Sequence, residues 1–213
     1  MPLQIKRYIL GPLENNTYLL TDTITSEAIV IDPSDGAEVI AEDITRHEQK
    51  LVGIWVTHAH FDHIAGVNGL VKALPTPTPI GLHPLDRDLW TDGGGAHHFG
   101  YRFDPGPKPT VEFSAGQKLL LGAHAFEVRH TPGHTPGHVL FYNVDAGLAF
   151  VGDLIFRRGV GRTDLPGGDE AALIRSIRTQ VFTLPPATRL LPGHGEETTA
   201  GAETTGNPSR SFR

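Results

Sequence analysis

The stretch Leu51-Val-Gly-Ile-Trp-Val-Thr-His-Ala-His-Phe-Asp-His63 constrains this chain more than any other. Its first six residues form a short, nearly all-apolar run, the pattern of a strand buried on both faces. Directly after that run, His58, His60, Asp62 and His63 place four metal-capable side chains within six residues. Two histidines two apart on an extended loop can turn toward one point. Asp62 and His63, opening the next helix, face a neighbouring point. Imidazole and carboxylate donors suit zinc, iron or manganese. Buried together without a metal, they would leave costly unsatisfied charge, so a purely structural use of the cluster is the weaker explanation.

Further donors sit where strands should end. His134 lies in Thr131-Pro-Gly-His-Thr-Pro-Gly-His138, Asp153 in Phe150-Val-Gly-Asp153 and His194 in Leu191-Pro-Gly-His-Gly195. Glycine and proline before each donor let the backbone turn sharply and aim one side chain inward. Taken singly, each is more readily a turn residue or a solvated group. They gain weight because a dense cluster already exists elsewhere in the chain.

The rest of the sequence supplies a scaffold. The 213 residues suffice for one domain with a sizeable core, and 25 Gly with 17 Pro point to loops that carry the chemistry. Residues 3–10, 17–21 and 28–32 read as strands, with a first turn at Asn15-Asn16. A helix starting near Asp35 carries Ala37, Ile40, Ile44 and His47 on one face, and a second runs from about Asp62 to Leu74. Residues 84–109 read as a long irregular segment whose aromatics favour an ordered cover over a pocket. Strands follow at 110–113, 118–121, 125–129, 138–143 and 148–152. A helix from Asp169 to Phe182 and a strand at Arg189–Leu191 follow them. The polar stretch 196–213 reads as a loosely held tail. A single domain spanning 1–213 is the expected organisation.

Several classes are disfavoured. A formal net charge of −6 does not advertise a basic surface for nucleic acid. With no cysteine, disulfides and thiolate ligands are ruled out. Residues 1–10 hold no apolar stretch of signal-peptide length, and no segment approaches the roughly 20 apolar residues that cross a bilayer. A cytoplasmic protein, monomeric or homodimeric, acting on a small molecule without membrane or nucleic-acid partners, is expected.

The ordered set His-x-His-x-Asp-His, His, Asp, His resembles the metallo-β-lactamase superfamily across nearly the whole chain. Gly161-Arg-Thr-Asp-Leu-Pro-Gly-Gly168 and the doubled Thr-Pro-Gly-His resemble its glyoxalase II-like, or hydroxyacylglutathione hydrolase-like, group. The resemblance implies an α/β fold, a four-layer αβ/βα sandwich of two mixed β-sheets flanked by helices. It also implies two divalent metal ions, zinc first, with iron or manganese as alternatives. One ion would be held by His58, His60 and His134, the other by Asp62, His63 and His194, with Asp153 bridging. An anionic bridge would offset the repulsion of two dications.

The implied reaction is hydrolysis of S-lactoylglutathione or a related acyl thioester by a metal-bound hydroxide, which Asp62 could orient. The helical C-terminal segment that holds glutathione in longer glyoxalase II enzymes has no counterpart after His194, as in the group's short members. Substrate contact is expected from His97 and His98 in the 84–109 segment. Arg162 is read first as a salt-bridge residue and second as an anion contact. His138 is expected to support the His134 loop. The rivals are a mononuclear iron persulfide dioxygenase using His58, His134 and Asp153, and a lactonase with the same ligand set.

Overall fold

The computed structural model describes residues 3–208. The chain divides into two compact units, one built from residues up to Phe113 with Leu120–His124, the other from Ser114–Leu119 and the chain from Ala125 onward. In the first, β1 (Leu3–Leu10), β2 (Asn15–Asp22), β3 (Glu27–Ile31), β4 (Lys50–Trp55), β5 (Ile80–Leu82) and β6 (Val111–Glu112) form one sheet in that order. β1, β2 and β3 pair antiparallel, and β3 through β6 pair parallel. The expected turn at Asn15-Asn16 falls earlier, because Gly11 takes a φ of 69° and Glu14 one of 53°. A Cβ at Gly11 would come within 2.6 Å of Ser34 Oγ, so the reversal sits where only glycine fits. Asn15 and Asn16 instead open β2, whose eight residues are all buried.

Helix α1 (Glu38–Arg46) crosses from β3 to β4 and buries Ile40, Ala41 and Ile44 against the sheet. Its Asp43 is also buried but accepts hydrogen bonds from Lys6 and Tyr8 of β1 and from Arg46. Those donors hold its carboxyl below the usual range. After β4 come α2 (Phe61–Ile64) and α3 (Val67–Ala73), where the periodicity predicts one helix. The break at Gly66 is steric. The helix passes so close to the β3–α1 connection that a Cβ there would lie 1.9 Å from Ser34 O, and Gly66 N donates to Pro33 O at 2.9 Å. The 84–109 segment is more regular than its composition suggests. It contains α4 (Arg87–Thr91) and 3-10 turns at Pro84–Asp86 and Ala96–Phe99, and Trp90 joins the core of Val30, Ile54, Ile64 and Leu70.

The second sheet is also mixed. It comprises β7 (Lys118–Leu121), β8 (His124–His130), β9 (Val139–Asn143), β10 (Leu148–Gly152), and, after a small hairpin of β11 (Ile155–Phe156) and β12 (Gly159–Val160), β13 (Arg189–Pro192) and β14 (Thr198–Thr199). The order is β14-β13-β10-β9-β8-β7, with β10 and β13 parallel. Helix α5 (Glu170–Ser176), capped by Asp169 accepting from Ala172 N at 2.9 Å, runs on as a π-helical turn through Val181. Leu173, Ile177 and Val181 pack on Leu140, Val151 and Leu190.

The stretch after His194 corrects the expectation of a loose tail. Thr198 and Thr199 pair with β13, and α6 (Ala200–Gly206) follows with Thr199 as its cap. Glu203 and Asn207 are buried. Residues 209–213 of that expected tail lie outside the described residues. Among the described residues, no helix is long and apolar enough to cross a membrane.

Candidate metal centre

In the first unit, β4 delivers Trp55 and the chain then turns through Thr57 into the histidine cluster. The turn is fixed by Asp32, at the end of β3. Asp32 Oδ1 accepts from Thr57 N at 2.7 Å, and Oδ2 accepts from Thr57 Oγ1 at 2.6 Å and from His63 Nδ1 at 2.9 Å. Because the Thr57 hydroxyl spends its one proton on Asp32, it accepts from His58 Nδ1 at 3.1 Å. Ala59 N donates to the buried Asp86 at 3.0 Å, which fixes the loop between the two histidines. The sequence drew attention to neither Asp32 nor Asp86. The only signal for the former was an acidic residue closing an apolar run, Ile29-Val-Ile-Asp32.

His58, His60, Asp62 and His63 are all buried. Ligand atoms of His58 and His60, of His58 and His63, and of Asp62 and His63 each lie within 4.8 Å. The His58 ring stands edge-on to His60 at 4.9 Å and tilted to His63 at 4.0 Å. His63 Nε2 is 3.6 Å from Asp62 Oδ2.

The second unit supplies its own set. His134 Nδ1 donates to Arg162 O at 2.7 Å, and its Nε2 lies 3.6 Å from Asp153 Oδ2. His194 Nε2 lies 3.6 Å from that same oxygen. A distance of 3.6 Å is too long for a hydrogen bond. It is close to the separation of about 3.4 Å between two ligand atoms bonded at about 2.1 Å to one ion at a tetrahedral angle. Glycines let these loops close. A Cβ on Gly161 would lie 1.8 Å from Asp153 O, and one on Gly133 would lie 2.2 Å from Leu173 N. His138 supports Asp153 rather than the His134 loop alone. Its Nδ1 donates to Thr131 Oγ1 at 2.8 Å and its Nε2 accepts from Asp153 N at 3.1 Å.

The donor chemistry fits metal ions. His58, His63 and His134 each spend the Nδ1 proton on an oxygen, which leaves each Nε2 with a lone pair, the tautomer that a metal requires. The arrangement is a His/Asp cluster of metal-binding character.

Arg162 makes the salt bridge that its sequence context puts first. The Arg162 guanidinium grips both oxygens of Asp164 at 2.7 Å, and that hydrogen-bonded pairing holds the Asp164 carboxyl down at about 2. His97 Nδ1 lies 3.4 Å from Asp92 Oδ2, and its ring sits 4.0 Å from that of His98 on an exposed turn.

The family model of the metallo-beta-lactamase superfamily matches residues 10–194. The chain is 34% identical over 197 residues to hydroxyacylglutathione hydrolase GloC of Haemophilus influenzae, spanning 92% of each. Among solved structures, it is similar to the B3 metallo-beta-lactamase BLEG-1, with a TM-score of 0.89 and 33% identity over 97% of this chain and 99% of that one. It is also similar to TTHA1623 in a di-iron-bound form, with a TM-score of 0.86 and 40% identity over 96% and 99%. The chain belongs to the metallo-β-lactamase superfamily, and its two mixed sheets with helices are the fold of that family.

Proposed function

We propose that this chain is a binuclear metal-dependent thioesterase, hydrolysing S-lactoylglutathione or related acyl thioesters. In this reading His58, His60 and His134 serve one ion, Asp62, His63 and His194 the other, and Asp153 both. The observation that carries it is Asp153 Oδ2, which stands 3.6 Å from both His134 and His194, two histidines assigned to different ions. A carboxylate placed so is suited to bridging. Support for the substrate class comes from the similarity to GloC.

Bound here, two divalent ions would supply a nucleophilic water at neutral pH and polarise the acyl carbonyl. The chain's own residues do the rest. Asp32, the Thr57 hydroxyl and the Arg162 carbonyl accept from Nδ1 of His63, His58 and His134 and so orient the three rings. Asp62 turns one oxygen toward His63 Nε2, and its carboxylate orients the attacking water. Water adds across the C–S bond, its oxygen going to the acyl carbon and a proton to the departing thiolate.

The test is metal stoichiometry on protein purified without added metal, paired with thioester and persulfide assays. Two ions per chain with thioester turnover is the expected result. One ion that excess zinc, iron or manganese leaves unchanged, with oxygen consumed on a persulfide, would replace this reading by the dioxygenase.

A further inference from the structure

Phe61 sits between the ligands His60 and Asp62 and is itself buried, 7% exposed. Its ring is covered by two others. Tyr101 stacks on it at 5.6 Å with an interplanar angle of 23°, and Phe99 leans on it at 5.5 Å. Both covering rings face solvent, Phe99 at 44% and Tyr101 at 47% exposure. Isolated exposed apolar side chains are ordinary, but two exposed rings joined over an aromatic that lies between two candidate metal ligands are not.

The platform is held rigid from below. Phe61 N donates to Gly94 O at 3.1 Å, and Gly94, at a φ of 64°, approaches so closely that a Cβ would lie 2.3 Å from Phe61 N. The 3-10 turn Ala96–Phe99 closes on itself, with Tyr101 N donating to Ala96 O at 3.0 Å. Farther on, Phe103 packs into the core and Asp104 accepts from Asn68 at 2.9 Å. A surface ordered before its ligand arrives gives up little entropy on binding.

We infer that Phe61, Phe99 and Tyr101 form the wall that receives an apolar, preferably planar, group of the substrate, next to the bond that is hydrolysed. The inference rests on the thioesterase reading and narrows it. Among thioesters, it selects those carrying an aryl or branched hydrocarbon group over those that carry none. The group can belong to the acyl part or to the thiol, and the wall's chemistry is the same for both.

Two series of thioesters separate those sources, with the metal-loaded enzyme throughout. One compares acetyl with phenylacetyl on a fixed thiol. The other compares 2-mercaptoethanol with benzyl mercaptan under a fixed acetyl group. In one series the aryl compound should exceed its partner in kcat/KM by about tenfold or more, a usual return for a filled apolar pocket. The difference should lie mainly in KM. The double variant Phe99→Ala/Tyr101→Ala removes exposed rings, so it should fold and keep its metal content. In it the aryl preference should shrink to within about twofold, and Tyr101→Phe should restore most of the effect of the Tyr101 change.

Calorimetric titration with phenylacetate reads the wall without turnover. Binding should weaken at least fivefold in the double variant and stay unchanged for acetate. If no thioester is hydrolysed but phenylacetate binding follows the rings, the thioesterase reading fails and the wall stands. Aryl preference absent from both series, or surviving intact in the double variant, or phenylacetate binding indifferent to the rings, would overturn the inference.

Discussion

Replacing Asp32 by Asn isolates what orients a metal ligand from what folds the chain. Asp32 has a φ of 51°, a left-handed conformation that Asn tolerates about as well as Asp, so the backbone is not the variable. The carboxylate meets three donors, the Thr57 amide, the Thr57 hydroxyl and His63 Nδ1. Asn offers one acceptor oxygen and an amide that can only donate, so at least one donor faces another. A buried donor left without its acceptor costs about 1–3 kcal/mol. For a domain of this length that is roughly 2–12 °C in Tm. One escape is for His63 to move its proton to Nε2 and accept at Nδ1, which withdraws the lone pair from metal. Either way, losing such an orienting partner typically weakens metal binding about 10–100-fold. Competition with a chromophoric chelator measures the affinity, and thermal unfolding of the metal-free protein measures the fold. If Asp32→Asn loses stability but binds zinc within twofold of the parent, the tautomer argument is wrong and Asp32 serves only to hold Thr57.

Other changes read other parts of the molecule. Asp153→Ala should lower the bound metal at both positions, whereas His194→Ala should chiefly cost one ion, as elemental analysis after gel filtration would show; two retained ions in Asp153→Ala would remove its bridging role. Glu203→Ala should destabilise the fold by about 2–4 kcal/mol in urea titration, because its buried carboxylate accepts from Arg158 N, Thr198 Oγ1 and Asn207 Nδ2. The Asp164 carboxyl, lowered from 3.8 to about 2 by Arg162, should titrate there by NMR and return toward 3.8 in Arg162→Ala. Its depressed value means that the pair contributes above about pH 4 and loses its contribution as the pH falls toward 2.

The ligand cluster was legible because its parts are neighbours in sequence and its strand is an unbroken apolar run. The second-sheet strands were legible for the same reason, with predicted bounds of 138–143 and 148–152 against Val139–Asn143 and Leu148–Gly152. Contacts made across long separations were not. Nothing around Pro33 announces that Ser34 will press against Gly66 and split a helix, and a glycine within a helical period reads as a tolerated weakness. The C-terminal stretch misled for a related reason. Its threonines, glycines and glutamates have the composition of a solvated tail, yet Glu203 is buried because Thr198 and Asn207 nearby and Arg158, 45 residues away in the chain, bring it donors.

What the sequence conceals about the centre is how the donors are aimed. Each half solves that problem in the same way. A neighbouring strand end or loop takes the ligand's Nδ1 proton: Asp32 at the end of β3 for His63 on α2, the Arg162 carbonyl after β12 for His134 after β8. A carbonyl acceptor can come from any residue type, so the Arg162 contribution leaves no mark on side-chain chemistry. Substituting that side chain should therefore spare His134, while the backbone position itself is guarded by Gly161, where a Cβ would strike Asp153 O and come within 3.3 Å of His134 Nδ1. The glycine in Gly-Arg-Thr-Asp is thus explained by the ligand loops it lets pass, and the arginine by the aspartate two residues on.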